Sequence, residues 1–140
     1  MLWHLVYISK RLASTTDHDI TAMLHKARQQ NQSLGITGVL LYSPTKFAQC
    51  LEGEYKPVVG LYEKIKADQR HYGVTMLHLT PVAERVFPAW FMGAKQLDEE
   101  QPIGLASFLA PAELETFQKM WDNKVPYPDQ TVSLMQKFFN

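Results

Sequence analysis

Hydrophobic and polar positions along this chain alternate first with the period of a strand and then with the period of a helix. Leu2 to Ser9 is an apolar and aromatic run with Trp3, Leu5, Tyr7 and Ser9 on one face and Leu2, His4, Val6 and Ile8 on the other. Both faces are expected to be buried, which marks a central strand, and a tyrosine placed inside needs a partner for its hydroxyl. Thr16 with Asp19 three residues on then has the form of a capping box, and Ile20, Met23, Leu24 and Ala27 follow at the spacing of one helical face. Asn31 is the next position on that stripe and has two readings. It ends the helix in the left-handed conformation that asparagine tolerates, or it is a buried amide aimed inward; spacing alone favours the first.

The stretch from Gly35 to Gly53 organises the rest. It reads as two strands joined by a turn at Ser43-Pro44-Thr45-Lys46, with a glycine at each outer end where the chain must bend. Ile36 to Tyr42 is apolar on both faces, as in a strand covered on both sides. On the second strand Phe47, Gln49 and Leu51 share a face, so a primary amide sits between two large apolar groups. Buried there without partners it would cost about 1–3 kcal/mol. Something must satisfy it.

Beyond the hairpin, Pro57 suits the first turn of a second helix whose apolar face is Val58, Leu61, Tyr62 and Ile65. The pattern ends this helix near Asp68-Gln-Arg70-His71, a charged cluster of the kind that caps a helix in solvent, with Gly73 as terminator. Val74 to Val82 reads as a strand that Pro81 moves to the sheet edge. After a connection over Glu84 to Pro88, Trp90-Phe-Met92-Gly-Ala94 reads as a last short strand with Trp90, Met92 and Ala94 on one face; a tryptophan and a methionine so placed are most often core or partner surface. Two amphipathic helices close the chain, Pro111 to Trp121 and Asp129 to Phe139, with Pro126 and Pro128 at their joint. Leu114, Phe117 and Trp121 on one, and Val132, Met135 and Phe139 on the other, are expected to lie across a sheet face.

This order predicts an α+β fold, a ferredoxin-like βαββαββ chain with a five-stranded mixed sheet. Right-handed crossovers place the two main helices together on one face, and the two C-terminal helices pack on the sheet. At 140 residues it is read as one core, a main domain over 1–97 with a helical extension over 98–140. Equal numbers of basic and acidic residues, 14 of each, leave no footprint for nucleic acid or an anionic membrane. Apolar runs are too short to span a bilayer and Met1-Leu-Trp-His lacks the character of a signal peptide, so a cytoplasmic protein is expected. The single cysteine, Cys50, excludes an internal disulfide and reads as a small buried hydrophobe. Neither a dinucleotide fingerprint nor a phosphate loop is present. His4, His18, His25, His71 and His78 lack metal-ligand spacing, and no serine sits in a nucleophile elbow. Pattern and composition alone stop at an α+β binding domain.

Five short motifs go further. Leu5-Val-Tyr7-Ile-Ser9, the Asn31 to Gly35-Ile-Thr-Gly38 spacing, Phe47-x-Gln49-x-Leu-Glu-Gly53, Asp68-x-Arg-His71 and Arg85-x-Phe-x-x-Trp90-x-Met92 resemble the blue-light-sensing flavin domain called BLUF. The resemblance runs in register over about the first ninety-five residues. Each motif is weak, and the set in order is specific. The tail resembles that of the short, single-domain members, which add two helices and no output enzyme.

The resemblance implies FAD, with its isoalloxazine ring in the slot between the two main helices and Asn31 bonded to the ring's polar edge. Ile20 and Met23 from the first helix and Ile65 from the second would flank the ring, Met23 standing where the family commonly has isoleucine. Asp68, Arg70 and His71 would lie near the flavin or its ribityl-phosphate end. Tyr7 and Gln49 become the photochemical pair: an electron and a proton leave the tyrosine, and the glutamine rearranges by rotation, tautomerisation or both. Trp90 and Met92, with Ser9 as a minor partner, would pass the change to an unidentified protein partner or a homo-oligomer. No catalytic residue is implied. Two other classes remain open: a small flavin-dependent redox enzyme, for which Tyr7 and Cys50 alone offer redox chemistry, and a ligand-sensing regulatory module of the same fold that needs no flavin.

Overall fold

The computed structural model describes residues 1–97, 109–124 and 128–139. The chain runs β1 (Leu2–Arg11), α1 (Asp17–Leu34), β2 (Thr37–Tyr42), β3 (Lys46–Glu54), α2 (Tyr55–Lys66), β4 (His71–Val82), β5 (Gly93–Gln96), α3 (Pro111–Trp121) and α4 (Pro128–Lys137). Pro126, and residue 98 where the extension was expected to begin, lie outside the described residues.

The sheet order is β4-β1-β3-β2-β5. β1 and β2 are both antiparallel to β3, β4 is antiparallel to β1, and β5 adds in parallel to β2. This is the expected ferredoxin-like arrangement with one added strand, and β4 takes the edge as Pro81 requires. Alternation along the strands then divides the core in two. Leu5, Tyr7, Leu40, Phe47 and Leu51 meet Ile20 and Leu24 of α1 and Val58 and Tyr62 of α2. Val6, Ile8, Val39, Leu41, Ala48 and Cys50 face the other way, against Phe87, Phe117, Met120, Trp121, Met135 and Phe138. Cys50 is fully buried there, and burial, with Glu52 adding to it, pushes its thiol well above the usual range. It is a core residue and no nucleophile at ordinary pH.

Three expectations are corrected. α1 opens on the capping box, Thr16 accepting from the Asp19 amide at 3.1 Å and donating its own amide to the Asp19 carboxylate at 2.9 Å. It does not end at Asn31: the left-handed cap is Gly35, φ 67°, which takes that conformation without strain. Asn31 therefore stays helical, one turn inside, and is turned inward. α2 ends earlier than expected, at Lys66, and His71 already belongs to β4. Gly73, φ 61°, is no helix terminator; it sits in β4 where pairing slips between Ile8 with Thr75 and Lys10 with Tyr72, a bulge that favours a left-handed residue. Finally, Trp90 and Met92 precede β5 and do not share a strand face. The Trp90 amide turns back on the Phe87 carbonyl at 3.2 Å and its carbonyl accepts from Gly38 at 2.8 Å, so ladder pairing starts only at Gly93.

Candidate functional site

Register brings the two polar groups of the helix-covered face together. Tyr7 of β1 lies directly opposite Gln49 of β3, and Leu40 of β2 lies opposite Gln49 on the other side. Above them, between α1 and α2, is a cleft of about 410 Å³. Tyr7, Met23, Asn31, Gln49, Ile65, Asp68, Arg70, His71 and Met92 all line it. Of the residues expected to flank the ring, Ile20 is 1 % exposed in the core and is not part of the lining; of those expected to pass the change on, Met92 lines the cleft and Ser9 and Trp90 do not. Lys26, Ala27, Gln30 and Lys64 are among the other residues of its walls.

A chain of hydrogen bonds runs along the cleft floor. The Tyr7 hydroxyl donates to Gln49 Oε1, and Gln49 Nε2 donates to the Met92 sulfur at 3.1 Å. Burial, with Tyr62 and Asp68 adding to it, pushes the Tyr7 phenol far above its usual value, so it remains a neutral donor. The amide that sequence left in need of partners has them on both ends. Asn31 is different. Its Nδ2 donates to the Phe91 carbonyl at 2.6 Å, while Oδ1 is buried with no partner among the described residues. An acceptor left so in a cleft wall suits a ligand that brings an N–H.

His71 ties the floor to the end of α2. Its Nε2 donates to the Ile65 carbonyl at 2.6 Å, which leaves Nδ1 to accept from Ser9 Oγ at 2.8 Å. The ring stands edge-on to Tyr7 and Phe47 with centroids 6.2 and 5.9 Å away. At the cleft mouth Asp68 and Arg70 pair side by side, and the Arg70 guanidinium holds the Asp68 carboxyl below the usual range.

Two residues not expected at the site fix the connection between β4 and β5. Arg28 Nε donates to the Met92 carbonyl at 2.9 Å. No pattern in the sequence marks it. Glu52 is wholly buried and accepts from the Val86 amide at 2.6 Å, the Phe87 amide at 2.9 Å and Thr37 Oγ1 at 2.9 Å, with His4 Nε2 2.6 Å away. Its signal was present: alternation puts it on one face with Ala48 and Cys50, a charge in an apolar row. Burial opposes the carboxylate, yet hydrogen bonds from His4, Val86, Phe87 and Thr37 hold its pKa below the usual 4.5. The fold thus favours the ionised form, a contribution complete above pH 4.5 and lost as pH falls through the lower folded value. Acid titration followed by circular dichroism is expected to show this loss, and a Glu52→Gln variant is expected to have a shallower pH dependence there.

Comparison with known proteins decides the family. The family model described as sensors of blue-light using FAD matches residues 2–93. The chain belongs to the BLUF family. The photoactivated adenylate cyclase subunit beta of Euglena longa is 41% identical over 85 residues, covering 61% of this chain and 10% of that protein. The chain therefore spans about a tenth of the length of such curated relatives. The dark-state structure of the BLUF protein BlrB superposes with TM-score 0.75 at 28% identity, covering 99% of this chain and 94% of that one. A structure of Klebsiella pneumoniae BlrP1 with FMN and cyclic diGMP superposes with TM-score 0.69 at 27% identity, covering 88% and 35%. This is thus a blue-light-sensing domain of a flavin-binding family. Among its described residues no helix is long and apolar enough to cross a membrane.

Proposed function

We propose that this BLUF domain binds FAD in the cleft and signals light through a change in the hydrogen bonds of Gln49. The observation that carries this reading is the continuous chain from Tyr7 through Gln49 to Met92 on the cleft floor. Bound there, the flavin supplies a ring that absorbs blue light and exchanges an electron and a proton with a neighbour. Tyr7 is the neighbour fitted to give both, being buried, neutral and already bonded through its proton. Gln49 carries acceptor and donor on one end. Turned over, it offers Nε2 to Tyr7 and Oε1 to Met92, and a thioether cannot donate, so the Met92 bond is lost. A neutral hydrogen bond contributes about 1 kcal/mol net, so the two arrangements lie close in free energy. That makes a bistable element.

Around this pair, Asn31 Oδ1 takes an N–H of the ring while Nδ2 keeps the Phe91 carbonyl. Met23 and Ile65 wall the ring, and Ile20 supports α1 from beneath. Asp68, Arg70 and His71, with Lys26 and Lys64, face the ribityl-phosphate end, and Ser9 steadies His71. Met92 and Trp90 carry the change outward to a protein partner, in the cytoplasm and within a homo-oligomer, with 1–97 as the flavin domain and 98–140 as its extension. FAD is favoured over FMN by the family's description.

The test is an absorption spectrum of the purified protein in darkness and after a blue flash, with the released cofactor identified by chromatography. A flavin spectrum that shifts slightly to the red and relaxes in darkness is the expected result. Colourless protein would point to the ligand-sensing module, and flavin that bleaches without shifting would point to a redox enzyme.

A further inference from the structure

The connection between β4 and β5 is held from both faces of the sheet, and one of those holds is outside the cleft. Its distal part rests on the cleft: Asn31 holds the Phe91 carbonyl at 2.6 Å, Arg28 the Met92 carbonyl at 2.9 Å, and Gln49 the Met92 sulfur at 3.1 Å. Its proximal part rests on Glu52, on the opposite face of the sheet, through the Val86 and Phe87 amides at 2.6 and 2.9 Å. Arg85 closes that anchor from outside, reaching Thr37 Oγ1 at 2.7 Å, the Glu52 carbonyl at 3.2 Å and the Gly35 carbonyl at 2.7 Å. Between Phe87 and Phe91 lie Pro88 and Ala89, both exposed, and Trp90, whose amide donates to the Phe87 carbonyl at 3.2 Å and whose carbonyl accepts from Gly38 at 2.8 Å.

The holds differ in strength. Amides bonded to a buried carboxylate make charge-assisted bonds, roughly twice as strong as neutral ones, whereas a thioether is a weak acceptor. A change at Gln49 therefore releases the Met92 side chain first, while Arg28 and Asn31 keep their bonds to the Met92 and Phe91 carbonyls. One ring reads the difference: Phe139 of the tail packs against Phe87, centroids 6.5 Å apart, and against Trp90, 5.3 Å apart. Phe87 belongs to the fixed part, and the Trp90 ring, whose backbone is tied to Phe87 and Gly38, is left to turn about its own side-chain bonds.

We propose that Glu52 is the pivot of this connection, a positioning residue that keeps Val86 and Phe87 still so that release of Met92 turns Trp90 against Phe139. The proposal rests on the light-switch reading above. Without the pivot, the connection loosens as a whole and Phe139 loses its fixed reference.

The experiment is amide hydrogen exchange and Phe139 ring resonances, followed by NMR on the full FAD-loaded chain in darkness and under blue light, for the native protein, Glu52→Gln and Arg85→Gln. In the native protein, light is expected to speed exchange around Phe91 to Gly93 and shift Phe139 while leaving Val86 and Phe87 protected. Glu52→Gln is expected to keep the red shift of the flavin, lose protection at Val86 and Phe87 in darkness, and lose the light response of Phe139. Arg85→Gln, which spares the buried carboxylate and so guards against failure of the first variant to fold, is expected to weaken the same response. Val86 and Phe87 responding to light as strongly as Met92, or either variant keeping the full Phe139 response, overturns the pivot alone. A native protein with no red shift overturns the light-switch reading and the pivot with it.

Discussion

Replacing Gln49 with leucine is expected to abolish the light-induced red shift while the flavin stays bound. Leucine keeps the cleft floor closed between Phe47 and Leu51, so the shape that receives the ring is retained. What disappears is the acceptor for the Tyr7 hydroxyl and the donor to the Met92 sulfur. No other group in that chain can exchange a donor for an acceptor by turning over, because the phenol presents the same oxygen whichever way its proton points and the thioether can only accept. The Tyr7 hydroxyl is left buried without its partner, which is expected to lower stability by about 1–3 kcal/mol. Tyr7→Phe attacks the same pair from β1 and is expected to remove the shift as completely. Light-minus-dark difference spectra check both. A shift of native size in either variant would dismiss the pair as the switch and send attention to Asn31, whose Oδ1 is buried with no partner among the described residues.

Much of this arrangement was legible because strands alternate. The inward placement of Tyr7 and of Gln49 follows from period alone. That they face each other does not, since the pairing of β1 with β3 joins residues 42 positions apart and only the folded sheet sets that register. Asn31 fell at the right place on its helical stripe, but the glycine four residues on takes the left-handed cap more cheaply, and nothing local says which will win. Trp90 and Met92 mislead for a different reason. Alternation assumes that backbone groups belong to a ladder, and here the Phe91 and Met92 carbonyls are taken by Asn31 and Arg28 side chains from α1. The two side chains then part company: Met92 is buried over Gln49, and Trp90, 41% exposed, turns toward Phe139 on the tail. Glu52 shows the reverse case, a charge in an apolar row that the pattern displays and that only its four partners explain.

Phe117→Ala is expected to cost about 3–5 kcal/mol, the range for emptying a buried phenylalanine site. That is a large part of the 5–15 kcal/mol that holds a domain of ordinary stability, so the urea midpoint is expected to fall steeply. The site is far from the cleft, on the other face of the sheet. Phe117 is wholly buried in α3, stacked on Trp121 at 5.9 Å and tilted against Phe138 at 4.9 Å. Beneath this group lie Val6, Ile8, Val39, Leu41, Ala48 and Cys50, which the helices of the tail keep from water. Polar ties fasten the same helices at their ends: Lys46 Nζ reaches the Trp121 carbonyl at 3.2 Å and Asp122 at 3.0 Å, and Lys95 Nζ reaches the Phe138 carbonyl at 3.0 Å. The tail on this account supplies half of the buried residues on that face of the sheet, and it meets Trp90 through the ring of Phe139. Molecules of the variant that remain folded are expected to keep the red shift, since no residue of the cleft is touched. A loss of stability below about 1 kcal/mol, the scale of a surface substitution, would mean that the first 97 residues hold themselves together and that the tail is an attachment.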